Sequence, residues 1–411
     1  MKRDKCVICN ELIDSNKIPC LNIFNTVNIV EIIDYKIDEI KTLQFIGCKN
    51  CGCIQLENLF PQSEIYAQPL QIFDGPVIQK HHDLFCDFVI KNINYDPNLF
   101  EIGGSYGKLA NRIISKYNEN SFDIRYKIME FSSDQYPPIN NIEYITGNCE
   151  DYDYKGTTTI IMSHVFEHLY NPREFIEKIS KTDIQNIFIS IPDMDGLMQI
   201  GDINNINILH TFYINTKFIV YLFQLYGFIL KDKYDYTNNS IFYYFVKSSQ
   251  KLELEYTPLK NSIRTRIDSS TKLPVTDLNK APLWGADSNL HQYKQISLLK
   301  EIPTFYETVI TKIKSINILN PFYICPSGFY GQFIYFYLNE NSKKNVKGFL
   351  DGDPFKINKR LSGTPIHIYE KKYISSFENM TILITSAKHH TEIKNELLQY
   401  NSNITCINSF E

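Results

Sequence analysis

Two Cys-x-x-Cys pairs stand near the start of the chain, Cys6 with Cys9 and Cys48 with Cys51. Two thiolates at that spacing can hold one ion from a single turn, and two such turns complete the four-sulfur tetrahedron that structural zinc prefers. Gly47 and Gly52 flank the second pair and ease its turn. Cys53 follows closely, so Cys51 and Cys53 compete as the fourth ligand. A redox role would need only one pair. Four thiolates leave no open position on the ion, so the expected Zn2+ is structural.

A second set of chemistry-bearing residues begins at Glu101-Ile102-Gly103-Gly104-Ser105-Tyr106-Gly107. Glycines let the main chain pass close to a ligand, because they lack Cβ and accept positive φ. The spacing E-x-G-G-x-x-G is not the dinucleotide fingerprint. Further along stand Glu130, Asn148-Cys149, Ser163-His164, Glu167-His168 and His210. An acid at the end of a second strand can hold ribose hydroxyls. A neutral imidazole near its usual pKa can take a proton from a hydroxyl or an acidic carbon, which makes His210 the candidate base. A hydrogen bond from His210 to a loop carbonyl is the plainer alternative. His164 and His168 lie four apart and would share a helix face. That spacing could bind metal, but no third ligand is evident, so cofactor contact and packing are favoured.

The elements that must position these groups read as an α/β sheet. Strands are expected at residues 98–102, 126–131, 142–146, 159–162 and 186–191, with a helix over 108–117 that turns Leu109, Ile113 and Ile114 inward. Strands at 228–236 and 241–246 would close the sheet antiparallel. Each candidate group then falls at or beyond the C-terminal end of a strand, where open α/β sheets bind ligands. Pro76 suits the first turn of a helix, on which His81 and His82 are expected as surface or packing residues. Residues 58–74 read as a loop able to lie over the pocket.

Residues 251–290 show no clear period and read as a connection, with Trp284 as a buried anchor or a substrate contact. Residues 290–318 look helical. A second α/β unit follows, with strands at 322–325, 346–350 and 381–385, a turn at 326–331, and helices at 332–338 and 391–400. Three domains result: a zinc-binding subdomain at 1–75, a central domain at 76–250 and a C-terminal Rossmann-like domain at 251–411.

Composition narrows the function classes. Apolar residues make up 43%, enough for several cores, and 42 basic against 46 acidic side chains give a net charge of −4. No basic footprint for nucleic acid is present, and residues 21–45 between the cysteine pairs are rich in Ile and acids. No apolar run approaches the roughly 18 residues that span a bilayer. The start lacks the apolar core of a signal peptide, so cysteines are expected as thiols or metal ligands in a cytoplasmic protein. Oligomeric state is not legible.

The ordered stations Glu101 to Gly107, Glu130, Asn148-Cys149 and Ser163 to His168 resemble those of S-adenosylmethionine (SAM) methyltransferases. The resemblance implies a class I SAM fold, with Glu101, Gly103, Gly104, Ser105, Gly107, Glu130, Asn148, Cys149, Ser163 and His164 around the cofactor. With the cysteines before them and the stretch 351–365 (Lys359, Gly363, Thr364) after them, nearly the whole chain resembles the nucleotide-sugar C-methyltransferases of deoxysugar biosynthesis. That family implies SAM as methyl donor and a 4-keto nucleotide sugar as acceptor, with a Tyr-x-Glu-His cluster after strand five. Here His210 matches the histidine, while Leu209 and Asn207 occupy the glutamate and tyrosine positions, and Ser105 and Tyr106 stand for Asn and Asp. The expected function is therefore methylation of a sugar or nucleotide sugar at carbon, oxygen or nitrogen, with His210, His168 and Glu167 as catalytic residues. The alternative is a zinc-bearing scaffold with a vestigial SAM site.

Overall fold

The computed structural model describes residues 1–13, 40–66, 76–132, 136–193, 206–236, 240–248, 308–354, 356–361, 363–386 and 389–409, together with the main chain of short strands at 21–24, 29–30, 254–255 and 264–265. Trp284 and most of 251–307 lie outside the described residues; within that stretch the two short strands pair antiparallel. The described part of the expected 290–318 helix is helical at 308–315.

The central sheet is α/β and rich in parallel strands. Its members are β3 (Asn98–Ile102), β4 (Arg125–Glu130), β5 (Ile142–Thr146), β6 (Thr159–Ser163), β7 (Asn186–Pro192), β9 (Phe228–Tyr236) and β10 (Ser240–Lys247). The spatial order is β9-β10-β7-β6-β3-β4-β5. The five strands from β7 to β5 are parallel, and β10 joins β7 antiparallel, as does β9 to β10. Chain order reverses between β3 and β6, so the loops leaving those neighbours diverge and open a crevice. Buried β6 and β7 read as continuous apolar runs, as strands covered on both faces do.

Helix α1 (Pro76–Asn92) and helix α2 (Lys108–Glu119) pack together on one face. Leu109, Ala110, Ile113, Ile114 and Tyr117 of α2 are buried at helical spacing, and each large apolar side chain so placed contributes about 1.5–3 kcal/mol. Helices α3 (Pro172–Ser180) and α4 (Thr216–Leu225) line the other face through Phe175, Ile176, Ile179, Ile219, Leu222 and Phe223.

The N-terminal part contributes β1 (Phe45–Gly47) and β2 (Ile54–Leu56). They form a three-stranded sheet with β8 (Phe212–Tyr213), the two residues just beyond Thr211. The C-terminal sheet is wholly parallel, in the order β13 (Ile368–Glu370), β12 (Val346–Asp351), β11 (Phe322–Cys325), β14 (Met380–Ile384) and β15 (Ile404–Asn408). One apolar cluster joins Phe45, Ile54, Leu56 and Tyr213 to Phe322, Phe333 and Phe349, so the N-terminal strands and the C-terminal sheet share a core.

Helix α5 (Phe329–Tyr337) begins three residues earlier than the sequence suggests. Gly331 does not end a turn but lies inside this helix. A Cβ there would stand 2.5 Å from the Pro326 carbonyl oxygen, which is main chain and cannot swing aside. Gly331→Ala is therefore expected to destabilise the protein by about 1–3 kcal/mol, read as a lowered denaturant midpoint. An unchanged midpoint would show that the helix can shift to accept the methyl.

Candidate functional site

The crevice between β3 and β6 is floored by Gly103 and Gly104. Gly103 sits at φ +73°, and a Cβ on it would meet Val165 Cγ2 at 2.5 Å, so the loops leaving β3 and β6 touch here. Ser105 also has positive φ, +47°, uncommon for a residue with a side chain. Gly107, at φ +64°, opens α2. The turn aims the Ser105 N–H at Glu130 Oε1, 2.5 Å away at the end of β4. Burial pushes the Glu130 carboxyl up to about 7 against the pull of that bond. The Ser105 hydroxyl is buried with no partner. Glu101 lies beneath the turn, 2% exposed, and accepts a 2.8 Å bond from the Tyr126 hydroxyl. A Cβ on Gly104 would meet its carboxyl carbon at 2.8 Å.

The far end of the crevice is closed by the N-terminal part. The Asn148 amide, just past β5, donates to Gln62 Oε1 at 3.2 Å, and Tyr66 stacks on Phe131 at 4.3 Å between ring centres. The expectation that residues 58–74 overlie the pocket agrees with Gln62 and Tyr66; 67–75 lie outside the described residues. Cys149 is buried, and burial pushes its thiol up.

Beyond β6 the chain makes a tight 3-10 turn at Phe166–His168, which carries Glu167. His164 precedes it at φ +54°, so His164 and His168 do not share one helix. Instead they converge around Glu167. The Glu167 carboxylate lies 3.4 Å from His164 Nδ1 and 4.0 Å from His210 Nε2, and the His168 and His210 ring centres are 5.2 Å apart. Glu167 is 3% exposed, and neither of its oxygens has a hydrogen bond. Burial alone would raise its pKa, but the contact with His164 and the positive potential of His168 and His210 outweigh burial and hold it down at about 2. Burial lowers the pKa of His168. The site therefore keeps a buried anion among imidazoles.

Two further groups, Ser240 and Arg3, escaped the sequence reading, and His81 takes the packing alternative of its expectation. His81 reaches in from α1, is 6% exposed and meets the Ser163 hydroxyl at 3.2 Å and the Ser190 hydroxyl at 3.4 Å; it is a packing residue and not a surface one. Burial, with His164 nearby, lowers its pKa to about 2. The Ser240 hydroxyl holds His164 Nε2 at 3.0 Å. Most telling is Arg3, 7% exposed, whose guanidinium donates to the Thr211 and Tyr170 carbonyls, to the Leu169 carbonyl at 3.3 Å and to the Thr211 hydroxyl at 3.0 Å. It thus clamps the segment after His168 to the residue after His210. The Thr211 N–H also donates to the Glu167 carbonyl at 3.0 Å, and the Leu56 N–H to the Thr211 carbonyl at 2.9 Å.

The four cysteines come together on this same side. Cys6 and Cys51 sulfurs are 3.4 Å apart, and Cys9 and Cys48 sulfurs 3.5 Å. These four could hold a metal ion. Cys53 instead turns into the core, wholly buried, with its sulfur toward the Ile54 and Tyr213 carbonyls. The first knuckle is fastened by the Arg173 guanidinium, which donates to the Ile8 carbonyl, and by the Gln55 amide, which bonds Val7 and Lys5.

No family model and no curated protein matches the chain. Solved structures with some likeness include the mitomycin 7-O-methyltransferase MmcR, at 12% identity over 42% of this chain and 55% of that one, TM-score 0.33. The pyocyanin biosynthetic protein PhzM matches at 11% identity over 41% and 56%, TM-score 0.34. The PH0226 protein of Pyrococcus horikoshii matches at 9% over 46% of this chain and all of that one, TM-score 0.34. The chain spans about half the length of the first two. Likenesses this slight leave the reading of the site to the chain's own residues.

The buried carboxyl under the glycine turn gives a stability signature. Burial, against the bond from Tyr126, raises Glu101 to about 8 from an ordinary 4.5. The folded chain then holds a proton that the unfolded chain has lost between those values, so this group's contribution falls as pH rises from 4.5 through 8. Glu101→Gln removes the titrating group. Relative to the wild type, the variant should gain stability between about pH 5.5 and about pH 8.5, by a few kcal/mol at most. Denaturant midpoints at the two pH values test this, and equal slopes in both proteins would contradict it.

Proposed function

We propose that this chain is a SAM-dependent methyltransferase acting on a sugar or nucleotide sugar, with His210 as the general base. The observation that carries the reading is the pairing of Glu130 with the Ser105 N–H across a glycine turn at the switch point of the sheet. Gly103 and Gly104 let the turn pack directly on Val165 and Glu101, the buried Ser105 hydroxyl is left for a polar group of the cofactor, and Glu130 can accept from ribose hydroxyls. Asn148 and the Tyr66–Phe131 stack border the place of the adenine. These residues fit SAM, which when bound supplies an electrophilic methyl group.

His210, 7% exposed, lies beside the loop that follows β6, with Nε2 4.0 Å from Glu167 Oε1. In this role it takes the acceptor's proton at Nε2 and becomes an imidazolium. The Glu167 carboxylate, 4.0 Å from Nε2, stabilises that charge as it forms. His168, half-buried and with its pKa lowered by desolvation, could accept a hydrogen bond from an acceptor hydroxyl in this reading. Arg3 and the β2–β8 pairing hold the two loops so that a reacting atom need not wait for them to align. The same pair of base and anion serves a hydroxyl, an amine or a carbon beside a ketone.

Cys6, Cys9, Cys48 and Cys51 fit one structural zinc ion. Sulfurs about 2.3 Å from a shared tetrahedral ion stand a little under 4 Å apart, close to the spacings here. Metal analysis of protein purified without chelator is expected to find at least about one zinc per chain, and about one fewer per chain in the variant Cys48→Ser with Cys51→Ser.

The activity is tested by incubating the zinc-loaded protein with SAM and a panel of nucleotide sugars, with mass spectrometry for the gain of one methyl group. His210→Ala should lower the transfer rate about 10²–10⁴-fold while leaving SAM affinity near that of the wild type. Undiminished turnover in His210→Ala would remove its role as base.

A further inference from the structure

Among the described residues, Glu167 alone has both carboxylate oxygens buried and neither in a hydrogen bond of good geometry; the imidazole of the half-exposed His164 stands beside it, with Nδ1 3.4 Å from Oε1. An anion left so is costly unless a cation completes it. Proton transfer to His210 supplies one only transiently. The ligand atoms of Glu167, His168 and His210 all lie within 4.8 Å of one another, and His210 Nε2 is 4.0 Å from Glu167 Oε1. We propose that these three side chains form a second metal site, taking one divalent first-row transition-metal ion.

The donor set argues the class of ion. Two imidazoles and one carboxylate suit Mn2+, Fe2+, Co2+ or Zn2+, whereas Mg2+ and Ca2+ prefer an all-oxygen shell. The set also differs from the all-thiolate group at Cys6, Cys9, Cys48 and Cys51, so the two sites select differently. Nitrogen and oxygen ligands stand about 2.0–2.2 Å from such an ion. Donors at that distance from a shared tetrahedral ion stand roughly 3.3–3.6 Å apart, so the Nε2–Oε1 pair must close by about half an ångström and the widest pair by roughly an ångström. The main chain needs no change, because the Thr211 N–H already binds the Glu167 carbonyl and sets the two loops in register. Three protein ligands leave coordination positions open, as catalytic ions require and structural ones do not.

The site's existence is independent of the methyltransferase reading, but its use in catalysis rests on that reading. An ion at His210 Nε2 occupies the lone pair that base catalysis needs, so the two forms exclude each other. In the loaded form an open position could take an oxygen of the acceptor, and the ion's charge would make that hydroxyl acidic enough to give its proton to water.

The test uses the full-length zinc-loaded protein and Mn2+ as probe, followed by electron paramagnetic resonance of the free ion. The thiolate group is already filled and disfavours Mn2+. One bound Mn2+ per chain is expected, weakened at least about tenfold in Glu167→Gln and in His168→Gln and unaltered in Glu130→Ala. No Mn2+ bound by the folded wild type would overturn the proposal, and so would equal binding in the wild type and both site variants. Co2+ gives a readout that needs no variant: weak visible bands without a sulfur charge-transfer band support the site, and a sulfur band alone overturns it. Calorimetry with S-adenosylhomocysteine on the same sample separates the two readings. Binding of that nucleoside without Mn2+ ends the metal proposal only, and Mn2+ without the nucleoside ends the methyltransferase reading only.

Discussion

Gly103 carries no side chain, and the site depends on that. At this position β3 ends, the main chain enters positive φ, and the loop from β6 presses Val165 to within 2.5 Å of where a Cβ would be. The contact lets loops from two adjacent strands meet at the point where strand order reverses. Everything with chemical potential radiates from it. On one side the Ser105 N–H turns to Glu130; on the other, Val165 leads directly into the turn that carries Glu167 and His168. A methyl at Gly103 would push apart the two halves of the pocket.

The N-terminal part is joined to the loops that carry His168 and His210 more closely than its distance in sequence suggests. β2 follows the second cysteine knuckle and pairs with β8, which follows His210 by two residues. Arg3 stands three residues before Cys6 and fastens Thr211 to Leu169 and Tyr170. Burial lowers the Arg3 pKa to about 10, which still leaves it charged at neutral pH. A cation spent on three carbonyls holds main-chain geometry and does not bind substrate. The cysteine group thus neighbours, along the chain, both the strand and the arginine that bond to the segments carrying His168 and His210.

How much of this was legible beforehand follows from the range of each interaction. The central strands and α2 were readable because apolar period and strand-end glycines are local, and α2 begins at Lys108 as expected. Glu130 and His210 were readable because their place follows from strand order. The cysteine quartet was readable from spacing, and the turn of Cys53 into the core leaves Cys51 in the fourth position. The partners of His168 were not readable. The His164–His168 spacing implies a helical pair, but a positive φ at His164 breaks the helix, and the neighbour of His168 arrives from His210 in another loop. Arg3 and β8 were equally hidden, since a clamp and a two-residue strand have no periodicity. Gly331 misled, because a glycine demanded by close packing inside a helix looks the same in sequence as one that ends a turn.

The account stands or falls on the cofactor. Isothermal calorimetry with S-adenosylhomocysteine, on zinc-loaded wild type and on Glu130→Ala, tests it most directly. One site per chain in the wild type, with affinity reduced about tenfold or more when the ribose acceptor is removed, is the predicted result. No binding to folded wild-type protein, or equal binding in the two proteins, would contradict the placement of SAM at the glycine turn.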